Sequence, residues 1–201
     1  MKNNFGFFLG IVILSWLIVG IPYIIATLLV NYTWGLSLFF HIISMIASMT
    51  IQIGMIKIAL MFVDNKKPEL NDLFNSFPHF FWKYLGASIL YGLIIVGGIL
   101  LLVIPGIVWA IKFQYFNYLI VDKNLGVTDA LKKSSQITNG VKWPLFGFGF
   151  LLVLINYGGA ILLFIGLLVT IPITMIANAY VYRTLQKQID TIQTPDAAVT
   201  T

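Results

Sequence analysis

Long apolar runs separated by short polar segments are the dominant pattern of the chain. The longest runs exceed the roughly 20 residues with which a helix crosses the hydrocarbon layer of a membrane. The pattern predicts membrane-spanning helices over residues 5–30, 36–63, 80–104, 107–121, 143–165 and 167–183. The fold class is therefore predicted to be all-α, an integral membrane bundle of about six transmembrane helices.

Glycines and prolines mark the turns inside apolar sequence. Pro105-Gly106 is expected to join the third and fourth predicted helices into a hairpin with almost no loop. For the last hairpin, the sequence leaves two places open for the turn, Gly158-Gly159 and Gly166. Residues 97–106 and 158–166 also resemble each other, which indicates either a duplicated hairpin or the low complexity of apolar sequence.

Two polar segments repeat their apolar residues with the spacing of a helix face. The face of the first segment consists of Leu70, Leu73, Phe74 and Phe77. The face of the second segment consists of Val127, Ala130, Leu131, Ser134, Ile137 and Thr138. In the second segment Thr128 is the expected N-cap and Asn139-Gly140 the expected end. Both segments are predicted to be short amphipathic helices in the membrane interface.

The composition supports a membrane location. The chain is 59% hydrophobic and 9% charged, whereas soluble domains carry about 25% charged residues. It contains no cysteine, so disulfides and thiolate metal sites are excluded. A single transmembrane domain is expected over residues 1–183, followed by a cytoplasmic polar tail over residues 184–201.

The charged residues are distributed unequally between the predicted loops. The sequence holds 12 Lys and Arg against 7 Asp and Glu. With about six spans, residues 64–79, residues 122–142 and both termini fall on one side, and the turns on the other side carry no charge. The positive-inside rule makes the charged side, and with it both termini, cytoplasmic. Because orientation explains the basic residues, no nucleic-acid partner is expected.

Lys112 is the most prominent polar residue within the apolar sequence. On a straight helix it would lie roughly 15 Å from the cytoplasmic boundary at Asp122, at about 1.5 Å per residue. An ionisable residue at that depth indicates a functional site, with snorkelling or a structural partner as the alternative. The polar residues that could form a ligand site with it are Gln114, Asn117, Gln52 and Asn178. Lys132 and Lys133 are candidates for binding anionic lipid headgroups.

No catalytic constellation is visible in the sequence. There is no G-x-S-x-G elbow, no P-loop and no dinucleotide fingerprint. All 7 carboxylates lie in the predicted cytoplasmic loops or tail, and their spacing is not typical of a metal site. We therefore expect no enzymatic activity, no cofactor and no metal ion.

An ordered series of motifs runs from residue 54 to residue 185. Its central members are Leu102-Val103-Ile104-Pro105-Gly106-Ile107, Leu119-Ile120-Val121-Asp122-Lys123-Asn124-Leu125-Gly126-Val127, Asp129-Ala130-Leu131-Lys132-Lys133-Ser134 and Asn139-Gly140-Val141-Lys142-Trp143. This part resembles the bacterial multi-pass membrane families grouped around the membrane domain of glycerophosphoryl diester phosphodiesterases, which are largely uncharacterised. The resemblance implies a domain of about six helices in the bacterial cytoplasmic membrane. It implies no hydrolase activity, because the soluble phosphodiesterase domain of some members has no counterpart in this sequence.

Two functional hypotheses from different classes remain open. In the first, the chain is a non-enzymatic membrane protein that interacts with membrane lipids or with membrane-protein partners, including a second copy of itself. In the second, it is a transporter or permease-like subunit for a small or amphiphilic solute. A polar cavity around Lys112 would favour transport, whereas a dry, lipid-facing Lys112 would favour the first hypothesis.

Overall fold

The computed structural model describes residues 5–161 and 166–193, and every regular element in these ranges is a helix. The helices are α1 Phe5–Leu29, α2 Trp34–Val63, α3 Asp72–Asn75, α4 Phe77–Leu101, α5 Val103–Phe113, α6 Phe116–Lys123, α7 Val127–Ile137, α8 Lys142–Ile161 and α9 Leu167–Gln193. The all-α prediction is therefore confirmed for the described part of the chain. Of the predicted polar tail, residues 184–193 continue α9, and the rest lies outside the described residues.

Four of the helices in the described ranges are long and apolar enough to cross a membrane. They are Gly6–Leu29 within α1 and the whole of α2, α4 and α8. Their outer surfaces carry many exposed apolar side chains, including Leu28, Leu93 and Leu154. Soluble proteins rarely expose apolar patches of this extent. The helices at the fourth and sixth predicted spans are not long and apolar enough to be counted with these four. The fourth predicted span is divided between α5 and α6, and α9 becomes polar beyond Tyr182.

The helix predicted over residues 107–121 is divided into α5 and α6. Leu102 has an extended backbone, with φ −166° and ψ 145°, so the chain turns there and not at Pro105-Gly106. Pro105 instead lies in the first turn of α5, where its missing N–H sacrifices no helical hydrogen bond. α5 ends at Phe113 and α6 begins at Phe116. The apolar pattern alone did not indicate this second break.

α7 is the second predicted amphipathic helix, and its apolar face is buried inside the protein. It begins with Gly126, not Thr128, as the N-cap residue, and the chain turns after it at Gly140, whose φ is +81°. The buried members of its face are Ala130, Leu131, Ser134, Ile137 and Thr138. The face is buried because α7 packs against α4, α5, α6 and α9. The prediction that the apolar face of α7 contacts the membrane interface is therefore wrong. The spacing of apolar residues identifies which face of a helix is buried, but not whether lipid or protein covers it.

The first predicted amphipathic helix is reduced to the 4 residues of α3. Leu73 is fully buried, whereas Leu70 and Phe74 of the same face are 50% and 43% exposed. The backbone of Leu73 packs onto Gly54 of α2 so closely that a Cβ atom at Gly54 would overlap the Leu73 carbonyl. α3 is therefore anchored to α2 by one buried side chain and one close backbone contact.

The two similar glycine-containing segments form similar contacts. A Cβ atom at Gly98 would lie 2.9 Å from Gly106 Cα, and one at Gly166 would lie 2.6 Å from Gly159 Cα. The pairs α4–α5 and α8–α9 thus approach backbone to backbone beside their turns, as small residues allow. α8 continues through Gly159 to Ile161, so the helix does not end at Gly158-Gly159, whereas Gly166 directly precedes α9. The repeat in the sequence therefore corresponds to a repeated packing contact.

Candidate functional site

Side chains of α7 stabilise the break between α5 and α6. The carbonyl of Lys112 accepts a hydrogen bond from Ser134 Oγ at 3.2 Å. Thr138 Oγ1 shares its single proton between this carbonyl, at 3.0 Å, and the carbonyl of Ser134, at 2.9 Å. The amide of Tyr115 donates to Ser134 Oγ at 3.1 Å. Both hydroxyl residues are fully buried, and their bonds satisfy backbone groups that lose helical partners at a helix end. This role of Ser134 and Thr138 is not apparent from the sequence, where they extend an otherwise apolar face.

Two polar atoms beside the break are buried without a hydrogen-bond partner. They are Gln114 Nε2 and Tyr115 Oη, considered against the residues that the structure describes. Tyr115 is 1% exposed, and its ring packs against the rings of Tyr118 and Tyr182. A buried polar group without a partner costs about 1–3 kcal/mol. A water molecule or a polar ligand group at this place would remove that cost.

A second polar group links α2, α4 and the start of α6. Tyr84 Oη donates a hydrogen bond to Gln52 Oε1 at 2.8 Å, and Asn117 lies near the Tyr84 hydroxyl. Asn117 Oδ1 also accepts from the amide of Tyr118 at 2.9 Å. Tyr84, which the sequence did not single out, therefore brings Gln52 and Asn117 together.

Lys112 is half-buried at the end of α5, and its ammonium lies 5.2 Å from the centroid of the Phe113 ring. The preceding residue, Ile111, lines a cavity together with Lys142 and Trp143, the first two residues of α8. Lys112 therefore lies beside the first turn of α8 and not beside its middle. The expected depth of roughly 15 Å assumed one helix from Lys112 to Asp122, whereas the structure divides this stretch into α5 and α6.

The other predicted site residues lie apart from the break. Asn178 Nδ2 donates to Thr174 O at 2.9 Å within α9, and no hydrogen bond in the described ranges joins it to Gln52. Lys132 is exposed on the outer face of α7. Lys133 lines a cavity of about 360 Å³ between α6, α7 and α9. The predicted residues are thus distributed over several places instead of forming one site.

The strongest electrostatic feature is an ion-pair network around Arg183, the single arginine of the sequence. Arg183 donates to both carboxylate oxygens of Asp64, from Nε at 2.9 Å and from Nη2 at 2.6 Å. Its Nη1 donates to Asp122 Oδ2 at 2.7 Å, and Tyr182 Oη donates to the same oxygen at 2.9 Å. The side chains are only partly exposed, at 19% for Arg183 and 12% for Asp122.

This network ties the ends of α2 and α6 to α9, and sequence analysis missed it by treating the carboxylates as solvated loop residues. The signal that could have revealed it is the choice of arginine where every other basic residue is lysine. A guanidinium can bind one carboxylate with two parallel hydrogen bonds and still reach a second, which an ammonium does less well.

A groove of about 480 Å³ lies between α1, α2 and α9. Its wall is largely apolar and includes Val12, Trp16, Val19, Gly20, Ile51, Met55 and Ile171. Three polar residues also line it, Ser15, Ser48 and Gln52. The serine hydroxyls donate to carbonyls of their own helices, Ser15 to Ile11 at 2.7 Å and Ser48 to Met45 at 2.8 Å. The amide group of Gln52 is therefore the main polar feature of the groove.

In the described ranges, no cluster of His, Cys, Asp or Glu residues could hold a metal ion. The long apolar helices and their exposed apolar surfaces define a helical membrane protein. Beyond this class, the chain matches no protein-family model, no characterised protein and no solved structure.

Proposed function

We propose that this chain is a non-enzymatic, multi-pass protein of the bacterial cytoplasmic membrane that binds a lipid molecule in the groove between α1, α2 and α9. It would belong to the families grouped around the membrane domain of glycerophosphoryl diester phosphodiesterases. The motif series from residue 54 to residue 185 supports this assignment.

The proposed topology has about six crossings, formed by α1, α2, α4, α5 with α6, α8 and the apolar part of α9. The contacts of Arg183 with Asp64 and Asp122, and of Lys83 with Asn124 at 2.8 Å, gather polar residues at one end of the bundle. The turns at residues 31–33 and 102 carry no charged side chain. The charged end is then cytoplasmic, with both termini on that side.

The groove between α1, α2 and α9 is the observation that carries the function. Its residues lie near the middle of the two N-terminal candidate spans, where the surroundings in a membrane are hydrocarbon. An alkyl chain is the ligand that an apolar wall of this kind accepts. Gln52 is exposed toward the groove, its Oε1 is used by Tyr84, and its amide hydrogens make no hydrogen bond within the described ranges. They can donate to an ester or hydroxyl oxygen of the bound lipid.

The test is the amount of lipid that the protein retains in mild detergent, measured by native mass spectrometry. Gly20 lines the groove, and a Cβ atom at Gly20 would meet no neighbour within 4 Å. Gly20→Leu should therefore fill the groove without disturbing helix packing and should reduce the amount of retained lipid. Gly10→Leu is the matched control, because Gly10 lies on the same helix with equally open surroundings and outside the groove. Equal amounts of retained lipid in Gly20→Leu and Gly10→Leu would refute the proposal.

Transport of a small or amphiphilic solute is the second candidate function. It is favoured by the break between α5 and α6, because interrupted helices line the substrate sites of many transporters, and by the unpartnered Gln114 Nε2 and Tyr115 Oη beside it. The chain contains no cysteine, so Gln114→Cys gives a single labelling site. Labelling by a membrane-impermeant maleimide from each side in turn would support a transport path. Protection from both sides would exclude it.

A further inference from the structure

A second groove, separate from the one between α1, α2 and α9, runs between α5 and α8. Its volume is about 300 Å³, and its walls include Ile104, Ile107 and Ile111 on α5 and Lys142, Trp143 and Phe146 on α8. Nearly all of the wall is apolar carbon, and the charged residue that lines it is Lys142, at the start of α8.

The apolar wall of this groove faces away from the protein. Ile104 is 74% exposed, Ile107 is 43% exposed and Phe146 is 42% exposed. The α5 residues recur at helical spacing and form a strip about 10 Å long. In a membrane this strip contacts lipid, and its shape matches one alkyl chain lying along α5.

The other end of the groove carries positive charge and an interfacial aromatic residue. Lys142 is the first residue of α8, and the next residue, Trp143, is 81% exposed. Tryptophan is enriched at the boundary between hydrocarbon and headgroups. Lys112 directly follows Ile111 of the apolar strip. Neither Lys112 nor Lys142 forms an ion pair with any residue that the structure describes.

We infer that this groove binds an anionic phospholipid, with one acyl chain along α5 and the phosphate at the Lys142 ammonium. Charge complementarity selects the occupant, because an apolar groove lined at one end by Lys142, which has no ion pair in the described ranges, fits a ligand with a long alkyl chain and an anionic head. The hydrogen bonds of Ser134 and Thr138 to the Lys112 carbonyl fix the end of α5 beside this position. The inference rests on the proposed insertion, in which Lys142 lies at the cytoplasmic boundary, but not on lipid binding between α1, α2 and α9.

The experiment uses the full chain in nanodiscs that contain phosphatidylglycerol and phosphatidylcholine in equal amounts. Native mass spectrometry then gives the ratio of the two lipids that stay bound. We expect the wild-type protein to retain phosphatidylglycerol preferentially. Lys142→Gln should reduce this preference about five-fold, the effect of one charge near a membrane surface. Lys66→Gln, which removes an exposed charge beyond the end of α2 and outside the groove, should leave the preference unchanged.

A second pair of variants tests the acyl-chain part of the site. Ile107→Trp should fill the strip and reduce retention of phosphatidylglycerol, whereas Val153→Trp, at a 50% exposed position of α8 outside the groove, should not. If Lys142→Gln fails to fold, Ile107→Trp and Val153→Trp still test whether the groove between α5 and α8 binds lipid.

The results separate this inference from the proposed function. An unchanged preference in Lys142→Gln, an equal loss in Lys66→Gln, or unchanged retention in Ile107→Trp would overturn the α5–α8 site. The Gly20→Leu variant should lose lipid from the first groove while keeping the preference for phosphatidylglycerol. If Gly20→Leu retains all its lipid while Lys142→Gln loses the preference, only the groove between α1, α2 and α9 is refuted.

Discussion

Arg183 and Asp64 lie 119 residues apart in the sequence and are joined by two hydrogen bonds, of 2.9 Å and 2.6 Å. The same guanidinium binds Asp122, so one side chain closes the contact between the ends of α2, α6 and α9. We expect Arg183→Gln to destabilise the protein by about 1–3 kcal/mol, because Asp122 would keep a largely buried charge without its partner. The measurement is the midpoint of thermal unfolding in detergent.

Two further variants show whether a loss of stability in Arg183→Gln comes from the ion-pair network. Arg183→Lys should restore only part of the stability, since an ammonium does not reproduce the two-pronged contact with Asp64. Lys66→Gln, which removes an exposed charge near Asp64, should have little effect. A Lys66→Gln variant as unstable as Arg183→Gln would show that overall charge, and not the network, is responsible.

Gly54 permits the close contact between α2 and α3. Gly54→Val should destabilise the protein by about 1–3 kcal/mol, the usual cost of overpacking, because its side chain would overlap the Leu73 backbone. Thermal unfolding measures the loss, and proteolysis near residue 70 reports whether α3 has detached. Gly92→Val provides the comparison, since a Cβ atom at Gly92 meets no neighbour within 4 Å. Equal stability of Gly54→Val and Gly92→Val would contradict the close contact between Gly54 and the Leu73 backbone.

The hydroxyl of Thr138 supports the break between α5 and α6. Thr138→Val keeps the shape of the side chain but removes the hydrogen bond that its hydroxyl shares between the carbonyls of Lys112 and Ser134, and we expect a loss of about 1–2 kcal/mol. Faster amide hydrogen exchange in residues 112–116 would accompany it, because the end of α5 would lose its attachment to α7. Ser135→Ala removes a hydroxyl from the neighbouring, only half-buried position. If that variant gives the same exchange, the attachment through Thr138 is not what orders the break.

The proposed topology predicts which loops face the outside of the cell. Single-cysteine variants at Tyr32 and Asn139 are informative, because the chain has no cysteine of its own and both residues are exposed in turns. Tyr32→Cys should react with a membrane-impermeant maleimide in intact cells. Asn139→Cys should react only after lysis. Labelling of Asn139→Cys in intact cells would reverse the topology.

The sequence pattern was sufficient to locate the long helices because burial in hydrocarbon depends on local composition. The boundaries of α1, α2 and α4 lie close to the apolar runs over residues 5–30, 36–63 and 80–104. The end of α7 was also predictable, since Gly140 has a positive φ that favours glycine.

Features that depend on distant residues could not be predicted in this way. The break at Gln114 and Tyr115 depends on Ser134 and Thr138, whose hydroxyls look like ordinary members of a helix face until α7 is docked. The ion pairs of Arg183 could not be predicted either, because its partners Asp64 and Asp122 lie far from it in the sequence. The division of the fourth predicted helix at Gln114 and Tyr115 could not be predicted for the same reason, because the apolar pattern continues across it.

The paired glycines at the hairpin turns bear on how the chain enters the membrane. Gly98 with Gly106, and Gly159 with Gly166, bring each pair of helices into direct backbone contact, and the residues between the members of each pair carry no charge. Moving a lysine to the centre of a membrane costs about 2.5–3.5 kcal/mol on the translocon scale, whereas these turns carry no such residue. In the proposed topology, these turns are the parts of each hairpin that cross the membrane during insertion, so that only apolar sequence has to be translocated.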